Sequence, residues 1–133
     1  MADISASKTE ANLRLAFADE TIAGRRSESA AASAEAGGNL RVAAILREDA
    51  QRRHSHAAGH IDQLEPGAPD RGTAYHLRAA IMHEVHEFAD AYPAMARKAR
   101  EEGMEDIADW FETLAKSSRA RAVRLRRALE TSV

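Results

Sequence analysis

Apolar residues recur along this chain in alternating three- and four-residue steps, the period of helices that bury one stripe against a neighbour. Breakers divide the pattern into four such segments. The first is predicted from Thr9, an N-cap with Glu10 in the first turn, to about Ala36, where Gly37 and Gly38 stop it. Asn39 restarts the chain for a second helix through roughly Leu64. Residues 65–72 (Glu-Pro-Gly-Ala-Pro-Asp-Arg-Gly) form the one extended breaker-rich stretch and are read as the long connection. Thr73 then caps a third helix reaching Glu102, with Pro93 inside it as a kink. Gly103 breaks that helix, and a fourth runs from about Met104 to Leu129. The pattern therefore predicts an all-α chain, with residues 1–8 as a polar lead-in and 9–133 as one helical-bundle domain.

The stripes are apolar near the helix ends and polar in the middle. Leu13 and Phe17 give way to Glu20; Val42 and Leu46 give way to Asp49, Arg53 and His56. The third stripe carries His83, Glu87 and Asp90, and the fourth passes from Ile107, Phe111 and Leu114 to Ser118 and Arg121. Helices of about 25 residues, each roughly 38 Å long, would bring these polar middles to one height in a bundle. Charges there are costly unless paired or bound to a metal.

Composition narrows the chemistry. The 133 residues hold 19 basic and 21 acidic side chains, so no net field argues for nucleic acid or an anionic membrane. The arginine-rich run from Arg119 to Arg127 reads as a solvated face that complements the helix C-terminus. There is no cysteine, which removes disulfides, thiolate metal sites and thiol catalysis. No apolar run approaches membrane-spanning length and no signal core opens the chain, so a cytoplasmic location is expected.

Several segments together resemble the rubrerythrin family. They are Asn12-Leu-Arg-Leu-Ala-Phe-Ala-Asp-Glu20, Ala43-Ala-Ile-Leu-Arg-Glu48, His56-Ala57, Thr73-Ala-Tyr-His-Leu77, Ile107-Ala-Asp-Trp-Phe111 and, most specifically, Tyr92-Pro-Ala-Met-Ala-Arg-Lys-Ala-Arg-Glu-Glu-Gly103. The resemblance implies a ferritin-like four-helix bundle with a long crossover between helices 2 and 3. It also implies peroxide reduction at a di-iron centre, an oxidative-stress role, and in many members a cysteine-rich rubredoxin domain, which a cysteine-free sequence is expected to lack. Dimerisation is expected too, and the small residues Ala30, Ala31, Ala32, Ser33 and Ala34 offer a smooth surface for close approach.

Carried over position by position, the resemblance implies a damaged metal site. Glu20 matches the first-helix glutamate, and the second-helix Glu-x-x-His falls on Arg53-His-Ser-His56. The third-helix Glu-x-x-Glu falls on Glu87-Phe-Ala-Asp90, and the fourth-helix Glu-x-x-His on Ser118-Arg-Ala-Arg121. Two readings follow. In the first, no metal is bound, and Arg53 and Arg121 neutralise Glu20, Glu87 and Asp90 in a salt-bridge network. The protein is then a non-catalytic or weakly metal-binding relative whose physiological partner the sequence does not name. In the second, Glu20, His56, His83, Glu87 and Asp90 hold one iron or another divalent ion in a rearranged site. That reading implies an oxidoreductase acting on peroxide or dioxygen, or an iron handler.

Overall fold

The computed structural model describes residues 3–132, which are helical apart from short connections, with no strand among them. They fall into two compact units, one ending at Ala68 and the other beginning at Pro69. No helix among the described residues is long and apolar enough to cross a membrane.

The N-terminal unit is a hairpin of α1 (Lys8–Ala36) and α2 (Leu40–Leu64). Ser7, rather than Thr9, is the N-cap, its hydroxyl accepting the Glu10 backbone N–H at 3.0 Å. Ser7-Lys-Thr-Glu10 has the spacing of a capping box, the stronger local signal of the two. At the turn Gly38 adopts φ +80°, and the Asn39 N–H returns to the Ala34 carbonyl at 2.8 Å. The Asn39 side chain then caps α2 through the Val42 N–H at 3.3 Å.

Small residues at seven-residue intervals form the seam of this hairpin. Gly24 and Ala31 are buried on α1, and Ala43, Ala50 and Ala57 on α2. Ala31 is thus part of the hairpin core, while Ala30 and Ala32 beside it are exposed. With no large side chain between them, the two backbones approach closely. A Cβ placed on Gly24 would lie 3.2 Å from the Arg53 Cβ and 3.2 Å from the His54 ring.

The C-terminal unit starts with a 3₁₀ turn, Ala68–Arg71, and enters α3 (Gly72–His86) at Gly72, whose φ is +82°. No side chain caps this helix, so Thr73 lies inside the helix rather than at its boundary. A π-helical segment, Glu87–Ala91, follows, closed by the Tyr92 N–H bonding five residues back to the Glu87 carbonyl. Pro93 stands in the first turn of α4 (Tyr92–Glu101). Proline has no N–H and its ring crowds the carbonyl four residues earlier; the widened π turn before it is where that conflict is accommodated. After Gly103 (φ +77°), the Met104 N–H bonds the Ala99 carbonyl at 2.8 Å, and α5 runs over Glu105–Ser132.

Buried Ala96, Ala99 and Ala108 pack with Phe111 near the turn between α4 and α5, and Tyr92 stacks on Phe111 with ring centroids 6.2 Å apart. Arg100 bridges the two helices, pairing with Glu105, with Asp109 at 3.1 Å and with Glu112 at 2.6 Å. Trp110, one residue from Phe111, remains 58% exposed.

The seam predicts a sharp size limit at Gly24. Gly24→Val should destabilise the fold by about 1–3 kcal/mol through overpacking against the Arg53 Cβ, read in a denaturant titration. A neutral result would mean that α1 and α2 do not approach closely at this residue.

Candidate functional site

The polar middles of the stripes form one cluster in each hairpin. In the N-terminal hairpin Glu20 is the hub. Arg53 donates from Nη1 to Glu20 Oε1 at 3.1 Å, and His56 Nδ1 lies 3.0 Å from Glu20 Oε2. Helical spacing places Arg53 and His56 on one side of α2, three residues apart and facing α1. The chain of contacts continues through Asp49. Arg53 Nε lies 3.7 Å from its Oδ2, and Ser27 donates to the same oxygen at 2.7 Å. The Asp49 carboxyl is held below the usual carboxylate range, first by the Ser27 hydrogen bond, against partial burial, and then by the Arg53 and Arg52 charges. The three/four spacing alone puts Ser27 on the α1 stripe and Asp49 on the α2 stripe, but gives neither this role.

Beside this cluster His54 Nε2 lies 2.5 Å from Glu28 Oε1, and Arg25 donates to Glu28 at 2.8 Å. These contacts hold the Glu28 carboxyl below its ordinary value, the His54 bond contributing most.

In the C-terminal hairpin the hub is Arg121. Its guanidinium grips Glu84 with both arms, Nε to Oε1 at 2.9 Å and Nη2 to Oε2 at 3.2 Å. It also donates to Ser117 Oγ at 3.0 Å and Ser118 Oγ at 3.3 Å. Glu87 Oε2 accepts from the fully buried Ser118 hydroxyl at 2.9 Å and lies 4.0 Å from Arg121. Its other oxygen is 2.9 Å from His83 Nε2. The Arg121 fork pulls the Glu84 carboxyl below the usual range, with burial opposing and Ser118 assisting; reciprocally, Glu84 raises the Arg121 pKa.

The third helix therefore presents a different pair of acids from the one expected. Glu84 and Glu87 face Ser118 and Arg121, whereas Asp90 is 74% exposed and has His86, at 3.6 Å, as its ion-pair partner. The π segment supplies the reason. Residues 87–91 advance less per residue around the axis than in an α-helix, so Asp90 falls off the Glu87 face. Glu84-Val-His-Glu87 is itself a Glu-x-x-Glu, and its first member was the signal overlooked.

Donor chemistry follows from this inventory. The clusters hold the carboxylates of Glu20, Glu84 and Glu87 and the imidazoles of His56 and His83. Positions 53, 118 and 121 supply guanidinium or hydroxyl groups, and a guanidinium has no lone pair to offer a metal. Among the described residues no group of three or more His, Asp or Glu side chains gathers in a way that could hold a metal ion.

Most of the chain aligns with known proteins. It is 37% identical to the rubrerythrin of Porphyromonas gingivalis over 123 residues, which is 85% of this chain and 62% of that protein. It is 33% identical to the rubrerythrin of Nitratidesulfovibrio vulgaris, covering 86% and 65% of the two chains. With rubrerythrin-1 of Clostridium acetobutylicum it shares 30% identity, over 86% and 66%. The chain thus spans a little under two thirds of the length of these relatives. No family model matches it.

The Glu84–Arg121 fork has a pH signature. A folded-state pKa below the unfolded value of about 4.5 contributes stability that is fully present above that pH and is lost as pH falls through the folded value. Thermal melts from pH 7 to pH 3 should show Arg121→Met less stable than the parent by a few degrees at neutral pH, with the gap closing below about pH 4.5. A gap that stays constant across the range would mean the fork contributes nothing through charge.

Proposed function

The chain belongs to a rubrerythrin-like family, and we propose that it is a non-catalytic or weakly metal-binding member whose fixed cations have replaced metal ions. Its all-α architecture is that expected of the ferritin-like class. The observation that carries the proposal is the pairing of Arg53 with Glu20 and of Arg121 with Glu84, one arginine to a site glutamate in each hairpin.

Two irons held close together need anionic bridging ligands to offset their repulsion, and hard iron prefers carboxylate oxygen with imidazole. Here the carboxylate lone pairs that would face such ions accept hydrogen bonds from groups that stay charged at every pH of interest. A cation entering either cluster would have to displace a guanidinium and then reside beside it. The donor set does not fit a di-iron centre. With no cysteine and no nucleophile–base pair in its place, the reading is a cytoplasmic binding or assembly protein rather than a peroxide reductase.

A second reading rests on the imidazoles. His56 on Glu20 and His83 on Glu87 are each within 3.0 Å of a carboxylate oxygen, and they favour a single iron or other divalent ion in an oxidoreductase or iron-handling protein.

Elemental analysis of protein purified without a histidine tag or chelator separates the two. The proposal expects iron, zinc and manganese far below one ion per chain. Stoichiometric metal in the unaltered protein would establish the second reading instead.

A further inference from the structure

Helical register fixes which side of the C-terminal hairpin each residue of α3 and α5 occupies. Glu87 meets Ser118 and Glu84 meets Arg121, so the two helices run antiparallel, each turn back along α3 level with a turn forward along α5. On that register Met82 lies level with Val123, and Arg78 with Arg126. At about 100° per residue, Arg78 lies about half a revolution from Glu87. Arg119 and Arg126 lie about 200° and 140° from Arg121. All three arginines therefore occupy the side of the hairpin turned away from the Glu84–Arg121 cluster, together with Met82 and Val123.

This side is strongly basic. Arg78, Arg119 and Arg126 are exposed, and among the described residues none of them has an ion-pair partner, whereas Arg100 and Arg121 are committed to carboxylates. Arg71, at the start of α3, extends the row and rests over the Tyr75 ring, 4.9 Å from its centroid. From Arg71 to the level of Arg119 the row is about 22 Å long. Along it, Glu130 is the acid on the same side.

Apolar surface lies within the row. Met82 is 73% exposed, Val123 44% and Tyr75 42%. Apolar side chains framed by arginines have the anatomy of a protein-binding patch, in which the centre is desolvated and the rim charges select the partner. Binding to a phosphate backbone would leave Met82 and Val123 in water. The aromatic ring on the row is also covered by Arg71 rather than open to a stacking base.

We propose that this face docks an acidic protein segment, which sets carboxylates against Arg78, Arg119 and Arg126 and an apolar side chain between Met82 and Val123. Guanidinium forks hold carboxylates bidentately, and the flexible thioether of Met82 adapts to the apolar group between them. The face lies across the hairpin from the Glu84–Arg121 cluster, and its use does not depend on whether a metal binds there.

The probe is a fluorescein-labelled peptide of about 16 residues, long enough to span the row as a helix, with Glu and Asp around a central Leu-Phe pair. It is titrated with the full chain and followed by anisotropy. Saturable binding should weaken at least about tenfold when Arg78, Arg119 and Arg126 are together changed to Glu, and about threefold to tenfold for Met82→Ser. Changing Arg26 and Arg41 to Glu, both exposed in the N-terminal hairpin, should leave binding within about twofold, since screened charges away from the face contribute little. The same peptide with Gln and Asn replacing its acids should not bind. No binding of the acidic peptide, an equal loss in the Arg26/Arg41 variant, or tighter binding of duplex DNA or phosphatidylserine vesicles would overturn the proposal. Binding indifferent to Met82→Ser would overturn it too, and that single exposed change decides the matter should the triple variant not fold.

Discussion

A guanidinium group keeps its proton at any pH where this protein is folded, and two of them are committed to glutamates, one pair within each hairpin. In the proposed reading, that permanence is what separates the clusters from a metal site. A metal ion can leave, exchange or change oxidation state, and its ligands then carry uncompensated charge. An arginine on a neighbouring helix does none of these things, so Glu20 and Glu84 are neutralised as soon as each hairpin closes. The proposal thus gives each hairpin a charge balance like that of a metal centre without its redox chemistry. Partial exposure of Arg53 and Arg121, 40% and 51% in the side chain, keeps the energetic contribution of each pair modest.

The geometry of those pairs depends on how closely the helices approach. Alanine at 43, 50 and 57 against Gly24 and Ala31 removes the bulk that would hold α1 and α2 apart. Arg53 can then reach Glu20 from α2 while its own Cβ lies over Gly24. In the C-terminal hairpin Ala108 and Ala122 bracket Ser118 along α5, and the buried hydroxyl meets Glu87 directly. The small-residue seams therefore bring the charged groups within hydrogen-bonding distance.

Much of this was legible in the residue pattern, because glycine and helix periodicity report local backbone physics. Gly37-Gly38 and Gly103 marked the hairpin turns, since a left-handed residue closing a helix is best supplied by glycine. Asn39 marked the start of α2 for a different local reason, its side chain accepting the Val42 N–H as an N-cap. Glu20, Arg53 and His56 could be grouped because both their helices are regular through those positions. Asp90 could not be placed correctly, because a π turn changes the angular step and nothing but Pro93 signalled it. Helix phase before the π segment was sound, so Glu84 was recoverable from its spacing to Glu87 alone. Ser7 and Thr9 are both acceptable caps, and only the reciprocal position of Glu10 distinguishes them.

The proposed neutralisation of these acids by arginine makes a direct thermodynamic statement about metal. A ligand that binds only the folded state raises the melting temperature with its concentration. Melts of the unaltered protein under anaerobic conditions, with stoichiometric ferrous iron and again with chelator, test this most directly. The account predicts superimposable curves. A melting temperature that climbs with added iron and falls back on chelation would contradict it.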